Sequence, residues 1–118
     1  MVLAAALLPY VTVGLAKVGR SGYDNARPRD YAERLEGWRR RAEWAHRNHF
    51  EAFAPFAAGV LIAGQRGTAP GVVDALSAAF VALRVGYTAA YLADRPALRS
   101  ALWALALACV IALLVWGG

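Results

Sequence analysis

The chain has 118 residues, which is enough for one domain and too few for two. Apolar residues make up 59% of it, above the share of about 45–50% in soluble domains, and they gather in four blocks. Its net charge of +5 comes from basic residues concentrated in 17–47 and 84–99, a one-sided distribution that follows the positive-inside rule of membrane proteins and argues against nucleic-acid binding.

The first two apolar blocks predict two helices joined by a long charged loop. The first helix is expected over about residues 2–18; because Lys17 follows its apolar run instead of preceding it, the run differs from a signal peptide. Residues 19–37 form a loop rich in Gly, Asn, Asp and Pro, in which Pro28 begins a short amphipathic turn. The second helix is expected over 38–64, with its charged first turns outside the membrane.

The last two apolar blocks predict helices over 72–92 and 96–116, each close to the roughly 20 residues that cross a bilayer. The run GQRGTAPG at 64–71 is typical of a tight turn. Asp94 is a candidate N-cap for the fourth helix, whose first turn contains Pro96.

These blocks together predict the fold class and the orientation. A helix satisfies its own backbone hydrogen bonds in lipid, so the sequence predicts one all-α domain over 1–118, a polytopic membrane protein built as a four-helix bundle. The distribution of basic residues predicts that the 18–47 loop and the 92–96 link lie in the cytoplasm and that both termini lie outside.

Polar residues on two of the predicted helices fall on narrow faces. At 100° per residue, one face of the second helix carries a stripe formed by Arg41, Trp44, Asn48, Glu51 and Pro55. The third helix carries Arg84, Tyr87 and Tyr91 at spacing i, i+3, i+7. A charge inside an apolar run is costly unless it is paired or hydrated, so Glu51 and Arg84 are natural partners. Such a pair is a candidate functional site, and the alternative is a purely structural clamp.

Two motifs resemble those of the MAPEG family, the membrane-associated proteins of eicosanoid and glutathione metabolism. AHRNHFEAFAPF at 45–56 is similar to the second-helix motif of that family. RVGYTAAYLADRPALRS at 84–100 is similar to its third-helix pattern, followed by Arg-Ser at the start of the fourth helix. ARPRD at 26–30 resembles a segment of its cytoplasmic loop. The chain therefore resembles a bacterial-type member, similar to the microsomal prostaglandin E synthase and microsomal glutathione transferase branches.

This resemblance implies a homotrimer of four-helix subunits in a bacterial inner membrane. Together with the orientation predicted from the basic residues, it places both termini in the periplasm. Glutathione, the implied cosubstrate, would bind at the cytoplasmic helix ends between adjacent subunits. The implied binding residues are Arg41, Arg47, Asn48 and Glu51 on the second helix, Arg84, Tyr87 and Tyr91 on the third, and Arg20 and Asp30 in the loop. The implied catalytic residues are Arg99, which stabilises the glutathione thiolate, with Ser100 and Tyr91. No metal is implied.

These residue types suit the chemistry of a thiol tripeptide. Arginine binds a carboxylate through two parallel hydrogen bonds, and glutathione has two carboxylates. A thiol with a pKa of about 8.5 is a weak nucleophile at neutral pH until a nearby cation lowers that pKa. Arg99 lies near the N-terminal end of the fourth helix and adds its charge to the helix dipole. The thiolate would attack lipophilic electrophiles or hydroperoxides that enter from the membrane lipids.

The alternative function is a non-catalytic binding or scaffold protein of the same family. Arg99 and Ser100 together with Tyr91 favour the enzyme, whereas Trp44, where the family often has an arginine, favours the scaffold. A metal site is disfavoured, since the helical angles of the two histidines of the second helix point away from its carboxylate. The single Cys109 permits no intrachain disulfide.

Overall fold

The computed structural model describes residues 1–19 and 22–116, and this part of the chain is built from helices and turns. The helices are α1 (Val2–Lys17), α2 (Pro28–Glu33), α3 (Gly37–Gln65), α4 (Pro70–Leu92) and α5 (Pro96–Val115). The predicted all-α fold class is confirmed. The four long helices, α1, α3, α4 and α5, begin and end within two residues of the predicted bounds, and α2 is the short turn expected after the loop.

Two helices have the length and composition of membrane spans. Among the described helices, α4 with 23 residues and α5 with 20 residues are long and apolar enough to cross a bilayer. The 16 residues of α1 are apolar but fewer. The 29 residues of α3 extend about 44 Å at 1.5 Å per residue, which exceeds the hydrocarbon thickness of about 30 Å. Its charged first turns therefore extend beyond the apolar part of the bundle.

The central helix of the bundle is α3, which packs against α1, α4 and α5, while α4 and α5 pack against each other. Aromatic and small side chains form the main core, where the rings of Phe56 and Phe80 stack with centroids 4.0 Å apart. Gly59 lets α3 approach α5, because a Cβ atom there would lie 3.1 Å from the Cβ of Leu113. A second, smaller core lies between the charged ends of α1 and α3 and holds α2 through Tyr31.

Arginine side chains hold the C-terminal ends of four helices. Three consecutive residues of α3 each donate to a different one: Arg39 to Val18 O after α1, Arg40 to Glu33 O and Leu35 O at the end of α2, and Arg41 to Leu92 O at the end of α4. Arg66 donates in the same way to Leu114 O of α5. The last carbonyl groups of a helix have no partner within it and carry the negative end of the helix dipole, so a cation stabilises them.

The link between α4 and α5 differs from the sequence prediction. Asp94 was expected to cap α5, but the N-cap is Arg95, without a side-chain cap. Asp94 instead adopts a left-handed conformation with φ of 55°, and Arg95 N donates to Ala90 O. This geometry ends α4, and aspartate is one of the few residues other than glycine that tolerate it. The prediction failed because the link between α4 and α5 is so short that Asp94 is needed to end α4 and does not cap α5.

Candidate functional site

A buried arginine lies at the centre of the candidate site. Arg84 of α4 is 1% exposed, and its guanidinium donates to two residues of α3. Nη2 lies 2.9 Å from Asn48 Oδ1 and 2.8 Å from His49 Nδ1, while Nε lies 3.2 Å from the same His49 nitrogen. Both partners are neutral acceptors. The positive charge of Arg84 therefore has hydrogen bonds but no carboxylate in contact with it among the described residues.

The hydrogen bonds around His49 determine which of its ring nitrogens carries the proton. Arginine has only donors, so His49 Nδ1 must be the unprotonated nitrogen. Its Nε2 then carries the proton and donates to Thr88 Oγ1 at 2.8 Å, and the Thr88 hydroxyl donates to the backbone oxygen of Arg84 at 3.1 Å. The chain of donors starts at the Arg84 side chain and returns to its own backbone. His49 is therefore neutral and holds the guanidinium in a single orientation.

Glu51 reaches this site only through Asn48. Asn48 Nδ2 donates to Glu51 Oε2 at 3.1 Å, while its Oδ1 accepts from Arg84. The expectation that Glu51 and Arg84 pair directly is therefore wrong. Within the part of the chain described, the ion pair present is Arg47 with Glu43, one turn apart on α3. An amide can bridge the two charges because it donates from one end and accepts at the other.

Two tyrosines of α4 connect Arg84 to the start of α5. The guanidinium carbon of Arg84 lies 4.1 Å from the ring centroid of Tyr87, whose ring meets that of Tyr91 edge-on at 5.5 Å. The guanidinium carbon of Arg99 lies 4.5 Å from the centroid of Tyr91. The ring of Trp44 of α3 lies beside Tyr91, with ring centroids 6.3 Å apart. The site thus places two cations at the two ends of a tyrosine pair.

A cavity of about 200 Å³ lies beside Arg84, between α3, α4 and α5. Asn48, Glu51 and Arg84 supply its polar residues. The rest of its lining is apolar and comes from Ala52, Pro55, Phe80, Trp103, Ala106, Leu107 and Val110. A ligand in this cavity would meet a cation, an amide and a carboxylate at one end and apolar side chains elsewhere.

Several residues of the predicted site lie elsewhere. Arg47 faces a different cavity, between α1, α2 and α3, and Asp30 lines a third near the loop. Arg41 uses one nitrogen to hold the end of α4, although it also lies on the stripe that contains Asn48. Ser100 is exposed on the first turn of α5. Arg20 lies outside the described residues. The structure therefore brings together Asn48, Glu51, Arg84, Tyr87, Tyr91 and Arg99.

Two residues of this site were missed at the level of sequence, His49 and Thr88. The helical angles predict that His49 points away from the polar stripe of α3, yet it contacts Arg84 directly. Thr88 lies one turn after Arg84 on α4, and this i, i+4 spacing was the available signal. Among the described residues no group of three or more His, Cys, Asp or Glu side chains is arranged to hold a metal.

The apolar helices and the buried polar site between them define an integral, all-helical membrane protein. The family model of the MAPEG family matches residues 1–118, the whole chain, and the chain belongs to this family. No curated protein and no solved structure matches it. Membership supports a glutathione-related function of transferase or isomerase type in a membrane, and it is consistent with an oligomer.

Proposed function

We propose that the protein is a membrane-embedded, glutathione-dependent transferase or peroxidase that activates the thiol for attack on lipophilic electrophiles or hydroperoxides. One observation carries this proposal: Arg84 is a buried cation whose hydrogen-bond partners, Asn48 and His49, are both neutral. A buried charge is costly unless an opposite charge meets it. An anionic ligand at the neighbouring cavity would supply that charge, and family membership indicates glutathione.

The polar end of the cavity suits the backbone of a tripeptide that carries two carboxylates and an ammonium group. Arg84 has the geometry to bind a carboxylate. Glu51 is exposed and has an oxygen free to accept from an ammonium or peptide N–H in addition to Asn48. In this proposal Arg41 binds the tripeptide more weakly, because it already donates to Leu92 O. Arg47 is paired with Glu43 at the other cavity and is not assigned to the tripeptide.

Arg99 is the residue we assign to the thiol. It is partly buried at the first turn of α5, where the helix dipole adds positive potential, and its guanidinium lies over the ring of Tyr91. A cation at this place stabilises the thiolate relative to the thiol, and the hydroxyl of Tyr91 or Ser100 is available to donate to it. The apolar lining, with Trp103 and Leu107 exposed on the outer face of α5, would admit a lipophilic electrophile from the bilayer.

The assembly we propose is a homotrimer, in which a neighbouring subunit completes each site. The orientation we propose places the charged segment and the candidate site toward the cytoplasm of a bacterial cell. Cysteine-accessibility labelling tests the orientation: a Gly22→Cys variant should react only from the cytoplasmic side. Labelling of that cysteine from the external face of intact cells would reverse the assignment.

A non-catalytic scaffold is the second candidate function. It is favoured because the apolar ring of Trp44 lies beside Tyr91, where the family often has an arginine. Glutathione binding and thiolate formation separate the two. At a glutathione concentration 100 times its Kd, binding should raise the free energy of unfolding by about 2.7 kcal/mol. The ultraviolet absorbance of the thiolate should also appear when glutathione is mixed with the protein at neutral pH. S-methylglutathione, which has no free thiol, should stabilise the protein but give no thiolate absorbance.

The decisive variant is Arg99→Ala, with Arg95→Ala as its control. Both arginines lie at the start of α5, but only Arg99 contacts Tyr91. We expect Arg99→Ala to lower turnover at neutral pH by tenfold or more (about 1.4 kcal/mol), to change glutathione affinity little, and to recover partly at higher pH. Arg95→Ala should resemble the wild type. If the wild type forms no thiolate, or if Arg99→Ala keeps the full thiolate signal, the scaffold function is favoured.

A further inference from the structure

A second and larger cavity, of about 660 Å³, lies between α1, α2 and α3. It uses a different face of α3 from the candidate site, and no described residue lines both cavities. None of the residues in the row from Arg84 to Arg99 contributes to it. The cavity therefore needs an explanation of its own.

The lining of this cavity changes from charged to apolar along the bundle. Helices α1 and α3 are antiparallel, since the end of α1 meets the start of α3 at Arg39 and Val18. Lys17 lies at the charged end. Val13 and Tyr10 follow about 6 and 10 Å deeper at 1.5 Å per residue, and Phe50 packs edge-on against Tyr10 with centroids 5.7 Å apart. The cavity has the polarity of an amphiphile, with a polar end and an apolar end.

The cavity as a whole carries more positive than negative groups. Lys17, Arg29 and Arg47 line it together with two carboxylates, and the Glu43 carboxylate is already paired with Arg47 at 3.0 Å. Lys17 contacts the hydroxyl and ring of Tyr23, which carry no charge. Arg29 is exposed and makes no hydrogen bond or ion pair with the residues that the structure describes. The cavity thus has a net charge of one positive unit, and two of its cations have no carboxylate in contact among the residues that the structure describes.

We propose that this cavity binds one molecule of an anionic phospholipid. Lys17 and Arg29 would bind the headgroup phosphate, and the acyl chains would lie along Val13, Tyr10 and Phe50. Basic residues between transmembrane helices at a membrane surface bind acidic headgroups in this way. A water-soluble anion would leave the apolar lining in contact with water, whereas an acyl chain removes that surface from water. This inference does not depend on the proposed function, since it concerns a separate cavity.

Lipid binding to the full chain in a mild neutral detergent tests the proposal. The probes are dioleoyl-phosphatidylglycerol, dioleoyl-phosphatidylcholine and glycerophosphoglycerol, the last being the headgroup without its chains. Native mass spectrometry should show one tightly bound phosphatidylglycerol per subunit, and tryptophan fluorescence should report a higher melting temperature with it. Phosphatidylcholine should bind more weakly because it is zwitterionic, and the free headgroup more weakly because it has no chains.

Two charge variants locate the headgroup. Arg29 and Arg95 are both exposed, and each lies next to the proline that begins a helix, but only Arg29 lines the cavity. Arg29→Ala should weaken phosphatidylglycerol binding about fivefold, as expected for the loss of about 1 kcal/mol from one basic residue at a membrane surface. Arg95→Ala should bind within twofold of the wild type. Val13→Trp, which fills the apolar end, should reduce the affinity for the intact lipid and not for the headgroup.

Three outcomes would overturn the proposal. Equal losses in Arg29→Ala and Arg95→Ala would mean that lipid responds to overall charge alone. Equal affinity for phosphatidylglycerol and glycerophosphoglycerol would mean that the site takes a soluble phosphate compound. A change of oligomeric mass in Val13→Trp, with lipid binding unaltered, would mean that another copy of the chain occupies the cavity.

Discussion

Replacing His49 by phenylalanine tests the hydrogen-bond network on which the candidate site depends. Phenylalanine keeps an aromatic ring of similar size, and the edge-on contact of residue 49 with Tyr87, with centroids 6.0 Å apart, can be retained. The substitution removes the acceptor for Arg84 and the donor to Thr88 at the same time. Its effect on the free energy of unfolding therefore reports polar contacts more than packing.

The geometry gives the expected size of this effect. Arg84 is almost fully buried, and the lost nitrogen accepts from both its Nε and its Nη2. Hydrogen bonds to charged groups contribute about 1.5–3 kcal/mol, and a buried donor left without an acceptor adds to the cost. We expect His49→Phe to lower the stability by about 3 kcal/mol. Thr88→Val should cost about 1–2 kcal/mol, because it removes the acceptor for the neutral imidazole N–H and the bond that the hydroxyl donates to Arg84 O, and neither bond involves a charged group.

Reversible unfolding in mixed detergent micelles, followed by tryptophan fluorescence, measures these differences. His46→Phe is the matched control: His46 lies one turn earlier on α3, is half-buried, and makes one hydrogen bond to Pro9 O at 2.7 Å, so we expect a loss of about 1 kcal/mol. His49→Gln, which keeps an acceptor and a donor, should recover most of the lost stability.

The double variant provides the sharpest check. With His49 gone, Thr88 no longer has a ring N–H to accept, so His49→Phe with Thr88→Val should cost about 1 kcal/mol less than the sum of the two single losses. If His49→Phe costs no more than His46→Phe, then other groups hold Arg84, and the assignment of His49 as the residue that orients Arg84 would be wrong. If the losses of the double variant are additive, then His49 does not donate to Thr88, and the assignment of the proton to Nε2 would be wrong.

Three further predictions follow from close approaches, helix ends and assembly. Gly59→Ala should destabilise the protein by about 1 kcal/mol in the same unfolding assay, because the new Cβ would lie too close to the buried Leu113. Gly86→Ala is the control and should be neutral or stabilising, because its new Cβ meets only the flexible end of a side chain. Equal effects of the two variants on stability would contradict this prediction. Arg41→Ala should lower the stability by about 1 kcal/mol in the absence of glutathione, because Leu92 O at the end of α4 loses its donor. If the substitution changes only the affinity for glutathione and not the stability, then Arg41 is a ligand of glutathione and does not stabilise the helix end. Native mass spectrometry in several mild detergents should show trimers, and only monomers or dimers would refute the assembly.

The sequence alone was sufficient for the elements of the fold. Apolar runs of about 20 residues, bounded by Gly, Pro and charged residues, predict helices almost to the residue, because a helix is the structure that satisfies its backbone in lipid. Helical periodicity also placed Asn48 with Glu51 on one face and Arg84 with Tyr87 on another, and these faces meet in the structure. Such patterns are local, since spacing along one helix determines which side chains share a face.

Tertiary structure decided what each of these polar residues contacts. Three consecutive arginines, which read as one basic run, diverge by 100° per residue and reach the ends of three different helices. Arg47 and Asn48 are neighbours in sequence but face different cavities for the same reason. That Asn48 stands between Glu51 and Arg84, and that His49 accepts from Arg84, depends on the rotation and register of α3 against α4. Rotation and register result from the packing of side chains between helices, such as Phe56 on Phe80. They cannot be predicted from the spacing of residues within one helix.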